Sequence, residues 1–150
     1  MQNAICFSTK FGWITATEQK DKLTSIRFKK SSKQGKTSFL LKKLKSDINL
    51  FFKGETKLIN LPLKIEGSSI QKKVWNELRK IKKGETKSYK EIAKRLRLSP
   101  RYVGKICGQN QHILAIPCHR VIRSDGSLAG FSAMGGINLK RKLLEFEKNR

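Results

Sequence analysis

The sequence has 150 residues, enough for one compact domain or two small ones, and its 34 Lys and Arg against 11 Asp and Glu give a net charge of +23. This excess favours a polyanionic partner, with nucleic acid as the first candidate, although a lysine-rich surface can also serve solubility alone. The N-terminus lacks a signal-peptide pattern, and no stretch approaches the roughly 20 apolar residues of a membrane span. We therefore expect a soluble, cytoplasmic protein that does not bind membranes.

The three cysteines, Cys6, Cys107 and Cys118, form no CxxC pair, and their odd number argues against a disulfide framework. With only two histidines besides, a metal site would need ligands from distant parts of the chain, so we expect no metal and no other cofactor. Cys6 lies in an apolar segment and is interpreted as a small buried hydrophobe, with a reactive thiol as the alternative.

The first half of the chain has the pattern of a small antiparallel sheet covered by a helix. Segments 3–10, 12–18 and 22–30 are rich in β-branched and aromatic residues and follow one another at hairpin spacing. Residues 37–54 then place apolar side chains at helical spacing, with lysines opposite and a glycine at the end. The inward positions are Leu40, Leu41, Leu44, Ile48, Phe51 and Phe52. The fold class predicted is α/β: this sheet and helix, followed by a mainly helical part beyond a join near residues 59–70.

The second half begins with a helical pattern over residues 68–81. Its predicted inner face consists of Ile70, Val74, Leu78 and Ile81. Ser88 and Glu91 then form the capping-box pattern at the start of a helix over 87–96.

A further helix is predicted over residues 99–110, with Ser99 as its N-cap and Pro100 in its first turn. Two short helices joined by a tight turn predict a helix-turn-helix. The polar side of the second helix carries Arg101, Lys105 and Gln109, and together with the net charge this favours DNA binding over a merely structural helix pair.

The segment IPCHRVI, residues 116–122, places a cysteine and a histidine among apolar residues. Pro117 fixes its own φ and biases Ile116 towards an extended conformation, so we expect Cys118 on a rigid backbone. Adjacent side chains on an extended segment point to opposite sides. A proton path from Cys118 to His119 therefore needs a bend or a bridging water.

The last helical pattern, residues 137–150, places Glu147 on the side of Leu143 and Leu144 that should face the core. A buried carboxylate needs a partner, and His119 is a candidate, because a carboxylate on one ring nitrogen leaves the other free to act as a base. The alternative is that Glu147 is a solvated charge.

These motifs resemble the O6-alkylguanine-DNA alkyltransferases (methylated-DNA–protein-cysteine methyltransferases), which remove alkyl groups from guanine by taking them onto a cysteine. The resemblance covers residues 69–147: IPCHRVI matches the active-site signature, and QKKVWNELRKIKKGETKSYKEIA, GFSAMGG and LLEFE occur in the family's order. It implies a ribonuclease-H-like α/β domain at residues 1–65 and a DNA-binding and alkyl-acceptor domain at residues 66–150.

The resemblance also implies catalytic roles. Cys118 corresponds to the alkyl acceptor, His119 to the base that takes its proton through a water, and Glu147 to the carboxylate that orients the histidine. Asn110 corresponds to the asparagine hinge between the recognition helix and the active site. Many relatives have a proline where this chain has Gln111, which could alter the adducts that fit.

For DNA and substrate binding, the resemblance implies that Arg101 replaces the flipped nucleotide in the duplex and that Tyr89 lies beside the target's 3′ phosphate. Family members place this helix in the minor groove, whereas the motif usually binds the major groove. Ser132 corresponds to a pocket position near the guanine, and Phe131 replaces a tyrosine common at the pocket wall. The remaining predicted DNA or substrate contacts are Lys105, Gln109 and Arg120.

The function implied by the resemblance is the stoichiometric, irreversible transfer of an alkyl group from O6-alkylguanine, and from O4-alkylthymine, in double-stranded DNA to Cys118. A base must leave the stack to be reached, and the thioether formed is not hydrolysed, so each molecule is expected to act once. We also expect a monomer. Two alternatives remain: a lesion binder that lacks the acceptor cysteine, against which Cys118 argues, and a basic DNA-binding regulator in which PCHR only packs the core.

Overall fold

The computed structural model of the chain describes residues 2–32, 35–56, 58–128 and 136–149. The chain divides into two compact units. The first comprises Met1–Ile65 and Gln111–Ala115, and the second comprises Glu66–Asn110 and Ile116–Arg150. That the first unit is ribonuclease-H-like stays a prediction.

The first unit contains an antiparallel sheet in the order β1-β2-β3, formed by β1 (Asn3–Thr9), β2 (Gly12–Gln19) and β3 (Lys22–Arg27). Helix α1 (Phe39–Phe52) starts at Ser38, whose hydroxyl accepts a hydrogen bond from the Leu41 amide. The apolar stripe of α1 faces the sheet, so the helix closes the core of this unit. Its buried residues are Leu41, Leu44, Ile48, Phe51 and Phe52, whereas Leu40 is only partly buried.

The segment Gln111–Ala115 joins the first unit through β3. The Ile26 amide donates to the Gln111 carbonyl oxygen at 2.8 Å, and the Ile113 amide donates to the Ile26 carbonyl oxygen at 3.1 Å. The buried His112 places its Nε2 2.9 Å from the Leu23 carbonyl oxygen. Such pairings are too short and too distant in the chain to leave a periodic signal in the sequence.

The second unit is mainly helical. Its elements are α2 (Ser69–Arg79), β4 (Lys87–Ser88), α3 (Tyr89–Leu96), α4 (Pro100–Gly108), a 3₁₀ turn (Cys118–Arg120), β5 (Val121–Ile122) and α5 (Gly136–Lys148). The parallel pairing of β4 with β5 is two residues long and was not predicted. Among the described residues, no helix has the length and apolar character needed to cross a membrane.

Side-chain caps define the starts of the helices in this unit. Ser88 and Glu91 form both hydrogen bonds of a capping box at the start of α3, and Ser99 accepts from the Tyr102 amide at the start of α4. The predicted inward position of Ile70 is wrong: its side chain is 37% exposed, because it lies in the first turn of α2, and Trp75 is buried instead. The helix pair α3–α4 is in direct contact, as a helix-turn-helix requires.

Candidate active site

Cys118 begins a 3₁₀ turn, so the Cys118–His119 segment is bent and not extended. Pro117 has φ −80° and ψ 66°, and its carbonyl oxygen accepts from the Arg120 amide at 3.0 Å. The Cys118 amide donates to the Ile116 carbonyl oxygen at 2.8 Å. In a 3₁₀ turn successive side chains point about 120° apart. The turn therefore supplies the bend that an extended Cys118–His119 segment would have lacked.

The Cys118 thiol is buried and held by the amide side chain of Asn110. Asn110 Nδ2 lies 3.2 Å from Cys118 Sγ and 2.7 Å from the Ile116 carbonyl oxygen, so one amide group fixes both the sulfur and the backbone before it. Burial raises the pKa of the Cys118 thiol, while the Asn110 hydrogen bond and the charge of Lys140 act in the opposite direction. A nearby base is needed to form the thiolate at neutral pH.

His119, the residue after Cys118, forms a buried pair with Glu147 of α5. His119 Nε2 lies 2.8 Å from Glu147 Oε2, and both side chains are about 1% exposed. The alternative of a solvated Glu147 is therefore excluded. Burial alone would raise the pKa of Glu147, but hydrogen bonds from His119 and Arg120 outweigh it and lower the pKa to about 2.

The protonation state of His119 follows from this pairing. An ionised carboxylate only accepts hydrogen bonds, so His119 Nε2 carries the hydrogen and Nδ1 keeps a lone pair. Burial lowers the pKa of His119, although its hydrogen bond with Glu147 acts to raise it. The imidazole is therefore neutral at pH 7, which is the form that can accept a proton.

Arg120 was predicted to contact DNA or substrate, but its side chain is buried and binds groups inside the protein. Its side chain is 5% exposed. Its guanidinium donates to both carboxylate oxygens of Glu147, from Nε at 2.8 Å and from Nη2 at 2.9 Å, and to the Ile81 carbonyl oxygen from Nη1 at 2.7 Å. With these donors engaged inside the protein, Arg120 holds Glu147 in place.

Lys140 on α5 is buried beside Tyr89, and the sequence analysis missed it. Lys140 Nζ donates to the Tyr89 hydroxyl at 3.2 Å, and the lysine side chain is 1% exposed. Burial lowers the pKa of Lys140, and burial is also the main reason why the pKa of Tyr89 rises to about 12. Lys140 lies seven residues before Glu147, two helical turns away on the same face, so the pattern that placed Glu147 inward could have found it.

A groove of about 660 Å³ runs between the helix-turn-helix and the turn after β5. Tyr89 and the exposed Arg101 line one side of it, and Arg123 lines the other. Lys105 and Gln109 are also exposed. Ser132 and Phe131 lie outside the described residues. Within the described ranges, no group of three His, Cys, Asp or Glu side chains is placed to hold a metal ion.

Comparison with known proteins identifies the family. The family described as "6-O-methylguanine DNA methyltransferase, DNA binding domain" matches residues 69–149. The chain belongs to this family. It is 37% identical over 147 residues to the methylated-DNA–protein-cysteine methyltransferase of Metallosphaera sedula, covering 94% of this chain and 90% of that protein. With the enzyme of the same name from Mycobacterium tuberculosis strain H37Rv it shares 43% over 105 residues, 69% of this chain and 62% of that protein.

Solved structures of the methyltransferase family confirm the predicted fold class. The crystal structure of Mycobacterium tuberculosis O6-methylguanine methyltransferase matches with a TM-score of 0.89 at 32% identity, covering 100% of this chain and 94% of that one. The Mycobacterium tuberculosis protein in complex with DNA matches with a TM-score of 0.88 at 32% identity, covering 98% and 93%. The Methanococcus jannaschii O6-methylguanine DNA methyltransferase matches at 0.73 with 26% identity, covering 97% and 94%.

Within this methyltransferase fold, the residues predicted for catalysis lie in one connected cluster. Hydrogen bonds join Asn110 to Cys118 and His119 to Glu147, and the 3₁₀ turn joins Cys118 to His119. Among the described residues predicted for DNA contact, Arg101, Lys105 and Gln109 are exposed on α4 or at its end, and Tyr89 lines the groove beside Arg101. Two features of the candidate active site have no signal in the sequence: the Ile81 carbonyl oxygen, which accepts from Arg120, and the Cys118–Arg120 turn. Backbone groups and local turns leave no side-chain pattern.

Proposed function

We propose that this chain repairs alkylated DNA by transferring a methyl or larger alkyl group from O6 of guanine, and from O4 of thymine, to Cys118. The observation that carries the proposal is the buried hydrogen bond of 2.8 Å between His119 Nε2 and Glu147 Oε2, because His119 follows Cys118 in the same 3₁₀ turn. A positioned carboxylate and a neutral imidazole next to a thiol are the parts that activate a cysteine nucleophile.

DNA would dock on the helix-turn-helix of the second unit. The exposed Arg101 borders the groove beside Tyr89, and Lys105 adds positive charge one helical turn further along α4. A stacked base cannot present its O6 substituent to a buried thiol, so the nucleotide must leave the duplex at a cost of a few kcal/mol. Arg101 would offset part of this by entering the stack in its place.

The transfer itself is a displacement at the alkyl carbon. His119 Nδ1 accepts the thiol proton through a bridging water, Cys118 Sγ forms the new carbon–sulfur bond, and the bond between the alkyl carbon and guanine O6 breaks. The electron pair leaves with the guanine, which takes up a proton, so a thiol is exchanged for a thioether overall. No group in this scheme reverses the thioether, so each molecule acts once, as a monomer on double-stranded DNA.

The decisive experiment is intact-mass analysis after incubation with a duplex that contains one O6-methylguanine. We expect one added methyl group per protein molecule, located at Cys118 by peptide mapping, and no more than one with excess DNA. A duplex with O4-methylthymine tests the second substrate separately. An unchanged mass with tight binding to the lesion would instead support a lesion binder, and equal binding to undamaged DNA would support a regulator.

A further inference from the structure

Helix α2 holds the end of α4 at two points. Trp75 Nε1 donates to the Ile106 carbonyl oxygen at 3.1 Å inside the core, and Gln71 Nε2 donates to Gln109 Oε1 at 2.8 Å at the surface. Gln71 and Trp75 are four residues apart and so lie on one face of α2. We call Gly67, Gln71 and Trp75 the α2 clamp.

Gly67 provides the space in which the other two clamp residues meet. A Cβ at this position would lie 2.7 Å from Gln71 Oε1 and 2.8 Å from the Trp75 ring. Both distances are too short for non-bonded atoms, so any larger residue would displace the glutamine amide, the indole or both. The same Gln71 oxygen accepts from the Ser68 amide at 2.8 Å, which fixes the side chain from its other end.

The clamp lies one helical turn from the group that binds the acceptor sulfur. Ile106, the residue whose carbonyl Trp75 holds, is four residues before Asn110. The Asn110 amide donates to the Cys107 carbonyl oxygen at 3.2 Å, so Asn110 is itself attached to the end of α4. Asn110 Nδ2 in turn contacts Cys118 Sγ. A shift of the end of α4 therefore moves the only group that donates to Sγ among the described contacts.

We propose that Trp75 and Gly67 are positioning residues for the alkyl-transfer reaction: they fix the end of α4 so that Asn110 donates to the Cys118 sulfur. This inference rests on the proposed function. The surface bond between Gln71 and Gln109 contributes less, because an exposed hydrogen bond competes with water. The structural alternative is that the clamp only stabilises the fold.

The test is the pH dependence of Cys118 alkylation by the free base O6-methylguanine, which needs no DNA docking. Trp75→Phe keeps the aromatic ring and removes the N–H donor. Because a hydrogen bond to a thiolate favours the charged form, a displaced Asn110 raises the pH at which the rate reaches half its maximum. We expect that shift, together with a rate at pH 7 lower by about 10-fold, since small misplacements in active sites have effects of this size or larger.

Two further variants make the result decisive. Trp13→Phe is the matched control, because Trp13 lies exposed on β2 in the other unit, and it should leave rate and pH midpoint unchanged. Gly67→Ala tests the same clamp by steric displacement and should reproduce the Trp75→Phe shift. A lower melting temperature with an unchanged pH midpoint in both clamp variants would overturn the inference. If the unmodified protein does not alkylate Cys118 at all, the proposed function fails instead.

Discussion

At the scale of single residues, the Glu147 carboxylate binds both the candidate general base, His119, and a permanently charged side chain, Arg120. Oε2 contacts both His119 and Arg120, and Oε1 contacts Arg120. Because Arg120 supplies the positive charge that a buried carboxylate needs, His119 does not have to be protonated to balance Glu147. The imidazole can therefore be both fixed and neutral, which is what a general base requires.

We expect Cys118→Ala to abolish methyl transfer while DNA binding is retained, because the substitution removes the acceptor sulfur but not the binding surface. Cys6→Ala and Cys107→Ala should each keep one transfer per molecule, since neither cysteine is adjacent to His119 in the sequence. Intact mass and a gel-shift titration measure the two properties. Methyl transfer by Cys118→Ala, or several methyl groups removed per protein molecule, would contradict the mechanism.

Glu147→Gln should slow transfer without stopping it. The amide oxygen can still accept one hydrogen bond from His119, but the charge that makes the imidazole a stronger base is lost. Single-turnover kinetics with a methylated duplex measure the effect, and Glu145→Gln on the exposed side of the same helix is the control. If Glu147→Gln and Glu145→Gln transferred the methyl group at the same rate, Glu147 would not be the residue that orients His119.

The Glu147 carboxylate should also make the free energy of unfolding depend on pH. Its pKa is about 2 in the folded protein, against an ordinary value of 4.5, so the unfolded chain takes up the proton first as the pH falls. The stabilisation, about 3 kcal/mol for a shift of this size, is complete above pH 4.5 and is lost as the pH falls towards 2. Urea unfolding measured between pH 2 and 4.5 should show that the free energy of unfolding changes less with pH in Glu147→Gln than in the unmodified protein. If the two pH dependences were parallel, the low pKa would not belong to Glu147.

At the scale of elements, α4 presents Arg101 in its first turn, where an exposed side chain can reach DNA. Arg101→Ala should slow repair of duplex DNA far more than reaction with free O6-methylguanine, because the free base has no stack to leave. Lys105→Ala, on the same helix, should weaken binding to any duplex without this difference. If Arg101→Ala reduced both reactions equally, Arg101 would not be the group that enters the duplex.

The elements also show what a sequence can and cannot predict. Helices α1 to α5 were predictable because each buries a stripe with helical spacing, and Ser88, Ser99 and Pro100 mark the starts of α3 and α4. Glu147 was predictable for the same reason. The turn at Cys118 was not, because a proline restricts its own φ but leaves ψ to the surrounding contacts. Arg120 was assigned to DNA, because a sequence gives the charge of an arginine but not the direction of its side chain.

At the scale of the whole molecule, lysine and arginine are in excess in both halves of the sequence. If these charges bind the phosphate backbone, the logarithm of DNA affinity should fall linearly with the logarithm of salt concentration, by about 0.9 per phosphate neutralised in a duplex. Fluorescence anisotropy with an undamaged duplex measures this slope. An affinity that does not change with salt would mean that the net charge of +23 has no part in DNA binding.

The pairing of Gln111–Ala115 with β3 has a consequence for how the protein folds. His112 meets the Leu23 carbonyl oxygen across 89 positions of sequence, and chains that depend on such distant contacts fold slowly. Ile116 and Cys118 follow directly after this segment, so we expect their backbone to become fixed only after that long loop has closed. Until then we expect the Cys118 thiol to be exposed to solvent, so that a newly made molecule is open to oxidation at the atom that would accept the alkyl group.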